Sequence, residues 1–226
     1  MNFIHDDQSQ EFYDAFNKFI FSPDKKVFNK LLSKHTFIQK IKSIPGDIVE
    51  LGVFKGSGIL TWLKCLQYEN QNRKVIGFDF FDYKANLETL NGNQKEMMKN
   101  LFEQRNFTDQ VSYIEYLTEL CNGAGLYNHE FIKGDVTETV EKYLKDNPGF
   151  RTSIVNFDLD VDEPTYHCMK LLWDRLMPGG IFIFDEYGIP EWTESDGVDR
   201  FLKERSVEMI KLQTTNIFAP SAFIVK

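Results

Sequence analysis

Apolar positions along the chain follow three regimes. Over residues 8–21 they recur at helical spacing, with Phe12, Phe16, Phe19 and Ile20 falling on one stripe. Ser22-Pro23-Asp24 breaks that run. Residues 25–42 then read as one or two further helices with Phe37, Ile38 and Ile41 facing inward. Pro45-Gly46 closes this N-terminal helical section, 1–44. From 48 to 184 the pattern changes to short, nearly continuous apolar runs at 48–51, 75–78, 130–132, 154–157 and 181–184, separated by longer helical stretches. Runs of that kind are buried on both faces, as parallel strands are, and their alternation with helices predicts an α/β sandwich. At the end of the chain, 209–212 and 222–225 predict an antiparallel hairpin turned by 216–221. Residues 84–128 interrupt the rhythm. They are too long for a simple crossover and carry helical patterning around 94–102 and 111–120, which predicts an inserted lid, an oligomer contact or additional scaffold.

Composition narrows the class. A chain of 226 residues, 42% hydrophobic and 27% charged, suits one globular domain with a full core. The formal charge of -8 argues against a nucleic-acid partner, which rewards a basic face, and favours a bound divalent cation. The 21 phenylalanines are expected mainly in the core, with a few free to line a pocket. Cys65, Cys121 and Cys168 are odd in number and far apart, so neither a disulfide framework nor a zinc knuckle is expected, and a reducing compartment fits. There is no basic stretch followed by an apolar run at the N-terminus and no apolar run of about 18 residues, so neither a secretory signal nor a membrane span is predicted. The expectation is a cytoplasmic protein.

Two segments carry chemistry. In the first, Ile48-Val49-Glu50-Leu51-Gly52-Val53-Phe54-Lys55-Gly56-Ser57-Gly58, a strand ends near an acid and a glycine-rich loop leads into a helix. Its E-x-G-x-x-x-G-x-G spacing is not the dinucleotide fingerprint G-x-G-x-x-G. S-adenosylmethionine (SAM) has no phosphate but has an amino group, a carboxylate and a ribose, and it suits the loop. Glu50 would organise the amino-acid end, with the amides around Gly52, Gly56 and Ser57 facing the carboxylate. Asp79, at the end of the second run, suits a ribose diol. Asp135, after the third run, is placed to reach the adenine amino group or to cap the helix over 136–144. Asp158 completes the expected cofactor-binding set. A tight strand-to-helix turn without a ligand is the alternative for the loop, and a helix cap or solvated loop position is the alternative for Asp79.

The second segment is Asn156-Phe157-Asp158-Leu159-Asp160-Val161-Asp162-Glu163. It leaves the fourth run at the carboxyl edge of the sheet, where open α/β sheets bind ligands. The fifth run ends at the same edge in Asp185-Glu186. If the two strands are neighbours, Asp160, Asp185 and Glu186 converge without a basic partner nearby in sequence, and a divalent ion resolves their repulsion. All-oxygen ligation points to Mg²⁺ or another hard cation. Such an ion lowers the pKa of a bound hydroxyl, and Asp162 is positioned as general base. The alternative is a solvated acidic loop capping the helix after Pro164. Tyr166 and Lys170 match the Tyr-x-x-x-Lys pattern of short-chain dehydrogenases, a match that arises easily by chance. His167 is a second choice of base and more often a plain helix residue.

These residues resemble the macrocin O-methyltransferase (TylF/MycF/NovP-like) family of metal-dependent sugar O-methyltransferases. The resemblance spans about 44–200 and rests on the Pro45–Gly56 segment, Asp79, Leu159-Asp160-Val161-Asp162, and Leu176-Met177-Pro178-Gly179-Gly180 leading into Asp185-Glu186-Tyr187. It implies a Rossmann-like class I SAM-dependent methyltransferase fold with a seven-stranded, mostly parallel sheet. It also implies Mg²⁺ on the equivalents of Asp160, Asp185 and Glu186, a base at Asp162, and deoxysugar acceptors, nucleotide-linked or attached to natural products. A homo-oligomer is expected on the same ground. The chain departs from the family in having Asp160-Val161-Asp162 for the usual Asp-Gly-Asp, and Asp185-Glu186 for Asp-Asp. A phenolic or catechol acceptor, a SAM-binding module without chemistry and a nicotinamide-dependent sugar oxidoreductase are the rival readings.

Overall fold

The computed structural model describes residues 7–23, 25–104, 113–205, 212–214 and 219–226. Two helices, α1 (Asp7–Ile20) and α2 (Lys25–Lys40), precede β1 (Asp47–Leu51), α3 (Ser57–Tyr68) and β2 (Val75–Asp79). Three helices follow in the expected insertion: α4 (Tyr83–Thr89), α5 (Gly92–Gln104) and α6 (Tyr113–Gly123). Then come β3 (His129–Lys133), α7 (Val136–Asp146), β4 (Thr152–Phe157), α8 (Asp162–Trp173), β5 (Leu176–Phe184), α9 (Glu194–Arg205), β6 (Leu212–Thr214) and β7 (Ala222–Val225). The strands form one seven-stranded sheet in the order β3-β2-β1-β4-β5-β7-β6. β1 to β5 run parallel, and β7 lies antiparallel between β5 and β6. The C-terminal hairpin is therefore present with its first strand at 212–214. Residues 209–211 of the expected strand lie outside the described residues, as does Val111 of the expected second helix in the insertion.

Strand alternation sorts the core into two layers. Val49, Leu51, Val155, Phe157, Phe182 and Phe184 face α7, α8 and α9, and pack there with Tyr166, Met169, Leu172 and Phe201. Ile48, Ile154, Ile181 and Ile183 face the other way, onto Phe37 and Ile38 of α2 and Ile59, Trp62 and Leu66 of α3. Glu50, two residues after Ile48, points into that second layer. A smaller cluster joins Leu87, Leu90, Met98 and Phe102 of the insertion to Val161, beside the acidic segment.

Phe37, Ile38 and Ile41 are buried as the spacing predicts. The stripe on α1 is not: Phe12 is 75% exposed, Phe16 59% and Ile20 44%. Phe19 meets Phe28 of α2 with ring centroids 5.9 Å apart. Helical periodicity reports that a helix has an apolar face; it does not report whether the same chain covers it. Cys65, Cys121 and Cys168 are buried free thiols. No helix among the described residues is long and apolar enough to cross a membrane.

Candidate active site at the carboxyl edge

Register puts the strand tips level. Leu51 aligns with Phe78 and Phe157, and Phe157 with Phe184. One step further the ladder continues into the loops: the Gly52 amide donates to the Phe78 carbonyl at 2.9 Å, Asp158 to Leu51 at 2.9 Å, and Asp185 to Phe157 at 3.1 Å. The glycine loop and both acidic segments thus leave the sheet side by side.

The glycine loop encloses a buried carboxylate. Glu50 is 2% exposed. A Cβ on Gly58 would lie 1.7 Å from Glu50 Oε1, so only glycine lets α3 begin over that acid. Gly56 is the N-cap of α3, and Ser57, its first residue, is exposed. Lys34 of α2 reaches in from the opposite side, its Nζ 3.6 Å from Glu50 Oε2 and 4.2 Å from the centre of the Trp62 ring. Burial raises the Glu50 pKa to about 7, against the lowering effect of Lys34.

A raised carboxyl pKa means the folded chain holds a proton that the unfolded chain releases near its ordinary value of 4.5. Glu50 therefore contributes its full stabilisation below pH 4.5 and loses it as pH rises through about 7. Urea unfolding of the wild type should lose stability across that window. A Glu50→Gln variant should be flatter across it by up to roughly 3 kcal/mol; an unchanged slope would contradict the assignment.

Asp79 and Asp135 have structural partners that the sequence does not reveal. Asp79 accepts backbone N–H bonds from Val53 at 2.8 Å, Phe54 at 2.9 Å and Phe81 at 2.9 Å. Three of the roughly four acceptor positions of a carboxylate are thus taken, leaving about one for a ligand hydroxyl rather than the two a diol offers. Its principal contact is with the glycine loop, which it pins to β2. Asp135 is the N-cap of α7, accepting from the Thr137 amide at 2.8 Å and hydroxyl at 2.7 Å. Of the two roles expected for Asp135, the cap is the one on display.

The acids after β4 and β5 do converge, in a grouping different from the expected one. Asp158, Asp160 and Glu186 each offer an oxygen within 4.8 Å of the others. Asp158, expected at the cofactor, joins Asp160 and Glu186, and Asp185 hydrogen-bonds to Asp158 beside them. The left-handed backbone of Asp160, φ 66°, turns the loop after β4 back on itself and brings Asp158 and Asp160 together. Asp185 is held at the sheet edge by its own amide and pairs with Lys30.

No basic residue lies near these acids in sequence, but the fold brings three lysines to them from α2. Lys26, Lys30 and Lys34 recur every four residues along one face of α2. Lys26 lies 3.4 Å from Glu186, Lys30 lies 3.1 Å from Asp158 and also contacts Asp185, and Lys34 faces Glu50. Burial and the neighbouring Asp158 raise Asp160 to about 7 and Asp185 to about 6. Glu186 is raised by burial and then by Asp158, Asp185 and Asp160. At Asp158 burial pushes the pKa up, but the charge of Lys30, hydrogen bonds to Asp185 and Lys30 and the charge of Lys34 together bring it below its ordinary value.

Two further residues complete the edge. Glu194, at the start of α9, is fully buried; its Oε1 accepts the Glu186 amide at 3.0 Å, and its Oε2 has no hydrogen-bond partner. Thr193 accepts the Asp162 amide at 3.1 Å and donates to Asp162 Oδ1 at 3.1 Å, while Gln94 of α5 donates to the Thr193 hydroxyl at 2.9 Å. Asp162 is thereby fixed at the start of α8 and tied to the insertion. Neither Thr193 nor Glu194 carries a motif; the only sequence signal is their place shortly after Asp185-Glu186. The dehydrogenase-like pair has another use: the Tyr166 hydroxyl donates to Glu204, and Lys170 lies 3.2 Å from it, with Arg200 stacked 3.8 Å above the ring. His167 faces Glu141 of α7.

The carboxylate grouping fits a hard cation. Its donors are all oxygen, and Glu186 Oε2 is buried without a hydrogen-bond partner.

A sequence profile of the family described as macrocin-O-methyltransferase (TylF) matches residues 29–218. Among solved structures, the apo form of CalS11, a TDP-rhamnose 3'-O-methyltransferase of calicheamicin biosynthesis, is similar at 24% identity and TM-score 0.69, covering 99% of this chain and 97% of that one. The O-methyltransferase NovP is similar at 21% identity and TM-score 0.69, covering 88% and 79%. An O-methyltransferase from Bacillus cereus in complex with SAH is similar at 14% identity and TM-score 0.52, covering 99% and 93%. At these identities the structural likeness establishes the class I methyltransferase fold. No curated protein matches the chain. The profile match begins inside α2 and runs through the glycine loop and both acidic strand tips, so the chain belongs to the macrocin-O-methyltransferase (TylF) family and is an enzyme of the methyltransferase type.

Proposed function

We propose that the chain transfers the methyl group of SAM to a hydroxyl of a sugar, a nucleotide-linked or glycoside-bound deoxysugar, with a divalent cation, Mg²⁺ by preference, at its carboxylate cluster. The observation that carries this reading is the convergence of Asp158, Asp160 and Glu186 within 4.8 Å, one strand away from a glycine loop that encloses Glu50. The family match and the sugar-nucleotide named for CalS11 support the acceptor class.

Glu50, Gly52, Gly56 and Ser57 would receive the amino-acid end of the donor, and Asp79 one ribose hydroxyl with its remaining acceptor position. Asp135 lies on the adenine side, at the end of β3. Asp160, Glu186 and Asp158, with Asp185 beside them, would hold the cation, whose charge would lower the pKa of an acceptor hydroxyl. Asp162, fixed by Thr193, takes the hydroxyl proton as the O–CH₃ bond forms and the S–CH₃ bond breaks. In-line approach is a matter of positioning, and α4 and α5, packed on Val161, would act as a lid over the acceptor side. The uncovered aromatic stripe of α1 suits a protein contact, in keeping with a homo-oligomer.

The test is a methyl-transfer screen over nucleotide sugars, with Mg²⁺ and with EDTA. The expected result is S-adenosylhomocysteine plus a sugar methyl ether, lost on chelation and restored by Mg²⁺. Full turnover in EDTA would remove the metal from the mechanism, and transfer to catechols alone would move the acceptor to the phenolic class.

A further inference from the structure

The acids that would bind a cation are not waiting empty-handed. Lys30 bridges Asp158, at 3.1 Å, and Asp185, and Lys26 stands 3.4 Å from Glu186. Two of the three oxygens that converge closely enough to hold an ion, those of Asp158 and Glu186, therefore belong to residues already paired with α2. A Mg²⁺ ion needs its oxygens at about 2.1 Å, and an ammonium on the same carboxylate would be held a few ångströms from a double positive charge. The two cations compete for the same ligands.

The side chains differ in their freedom to leave. Lys30 is 30% exposed and Lys26 45% exposed, whereas Lys34 is 7% exposed, between Glu50 and the Trp62 ring. Phe37 and Ile38 bury the next turn of the helix. A flexible four-carbon stem lets Lys30 swing into water while α2 stays anchored from Lys34 onward.

Building on the reading that these acids hold a divalent cation, we propose that Lys30 is the residue that sets cation occupancy: its ammonium is the resident counter-ion, and a divalent cation binds by displacing it from Asp158 and Asp185. Metal affinity is then tuned by α2, outside the ligand set.

Mn²⁺ binding to the full chain, followed by electron paramagnetic resonance at fixed pH, tests this without any methyl acceptor. Lys30→Gln should bind Mn²⁺ at least tenfold more tightly than wild type. Lys30→Arg, which keeps the charge, should not, and Lys64→Gln on the exposed side of α3 should match wild type. Should Lys30→Gln fold poorly, the wild type alone decides the matter: acetylation of Lys30, followed by mass spectrometry, should speed up severalfold when Mn²⁺ is saturating. Unchanged or weaker binding in Lys30→Gln, equal tightening in Lys30→Arg, no Mn²⁺ binding in any form, or unchanged Lys30 reactivity would each overturn the proposal. Failure of the sugar screen alone would leave it standing.

Discussion

Asp160→Asn is expected to cut methyl transfer by on the order of a hundred- to a thousandfold while leaving the chain folded, the scale on which loss of one preorganised electrostatic contact acts. Asparagine is the right replacement because Asp160 sits at φ 66°, a left-handed conformation that Asn and Asp tolerate and that alanine would strain. The Asp160 carbonyl, which accepts the Thr193 amide at 3.2 Å, is untouched, so the loop and the Thr193–Asp162 pair persist. What changes is charge. Asp160 is one of the three acids whose oxygens approach one another, and its pKa, raised to about 7 by burial and by Asp158, shows that the folded chain without a cation resists ionising it. The variant should therefore be as stable as wild type or more stable at pH 8 in chelator, and should bind Mn²⁺ more weakly. Thermal unfolding, Mn²⁺ titration and single-turnover methyl transfer on one preparation separate the effects. A stable variant with wild-type turnover would show that Asp160 does not contribute to the reaction.

How much of this site is legible in the sequence depends on the range of each interaction. The run 154–157, followed by acids, places Asp158 and Asp160 at a strand tip, and the run 181–184 does the same for Asp185 and Glu186. Parallel connectivity then forces both tips to one edge, so convergence follows from local pattern and topology alone. The composition of the close triad does not follow, because it depends on a left-handed residue inside a four-residue loop. The lysines are invisible for a different reason. Lys30 meets Asp158 across 128 positions, and spacing at i, i+4, i+8 on a polar helix reads as a solvated face until the helix is docked. Asp79 illustrates a third limit: its type and place suit a ligand, but the amides of Val53, Phe54 and Phe81 make nearly equal use of it, and a sequence does not show which donors the backbone aims at a carboxylate. The α1 stripe is the reverse case: the pattern does give a helix, but Phe12, Phe16 and Ile20 stay exposed on it.

The second large effect is expected at Gly52, where the two chemical segments touch. A Cβ there would lie 2.0 Å from the carbonyl oxygen of Asp158 and 2.8 Å from its carbonyl carbon. Both are backbone atoms, so no rotamer change relieves the clash. The same approach accompanies the bond that Asp158 donates to Leu51; a methyl group would wedge β1 from β4 and weaken that bond. The backbone of Gly52 also has φ +89°, a conformation that costs an L side chain on the order of 1–3 kcal/mol, and overpacking adds about 1–3 kcal/mol. Gly52→Ala should therefore lose on the order of 2–6 kcal/mol, a large share of the roughly 5–15 kcal/mol that holds a domain folded. Gly125→Ala is the control, since Gly125 has φ +70° but a Cβ there would meet nothing within 4 Å; it bears the conformational cost without the collision. Urea unfolding of the two variants should thus differ by at least the overpacking contribution, with Gly52→Ala the weaker. Equal midpoints would mean that β1 and β4 can part at their tips without consequence, and the close seat of the glycine loop against the acidic segment would then not be what fixes Asp158 in place.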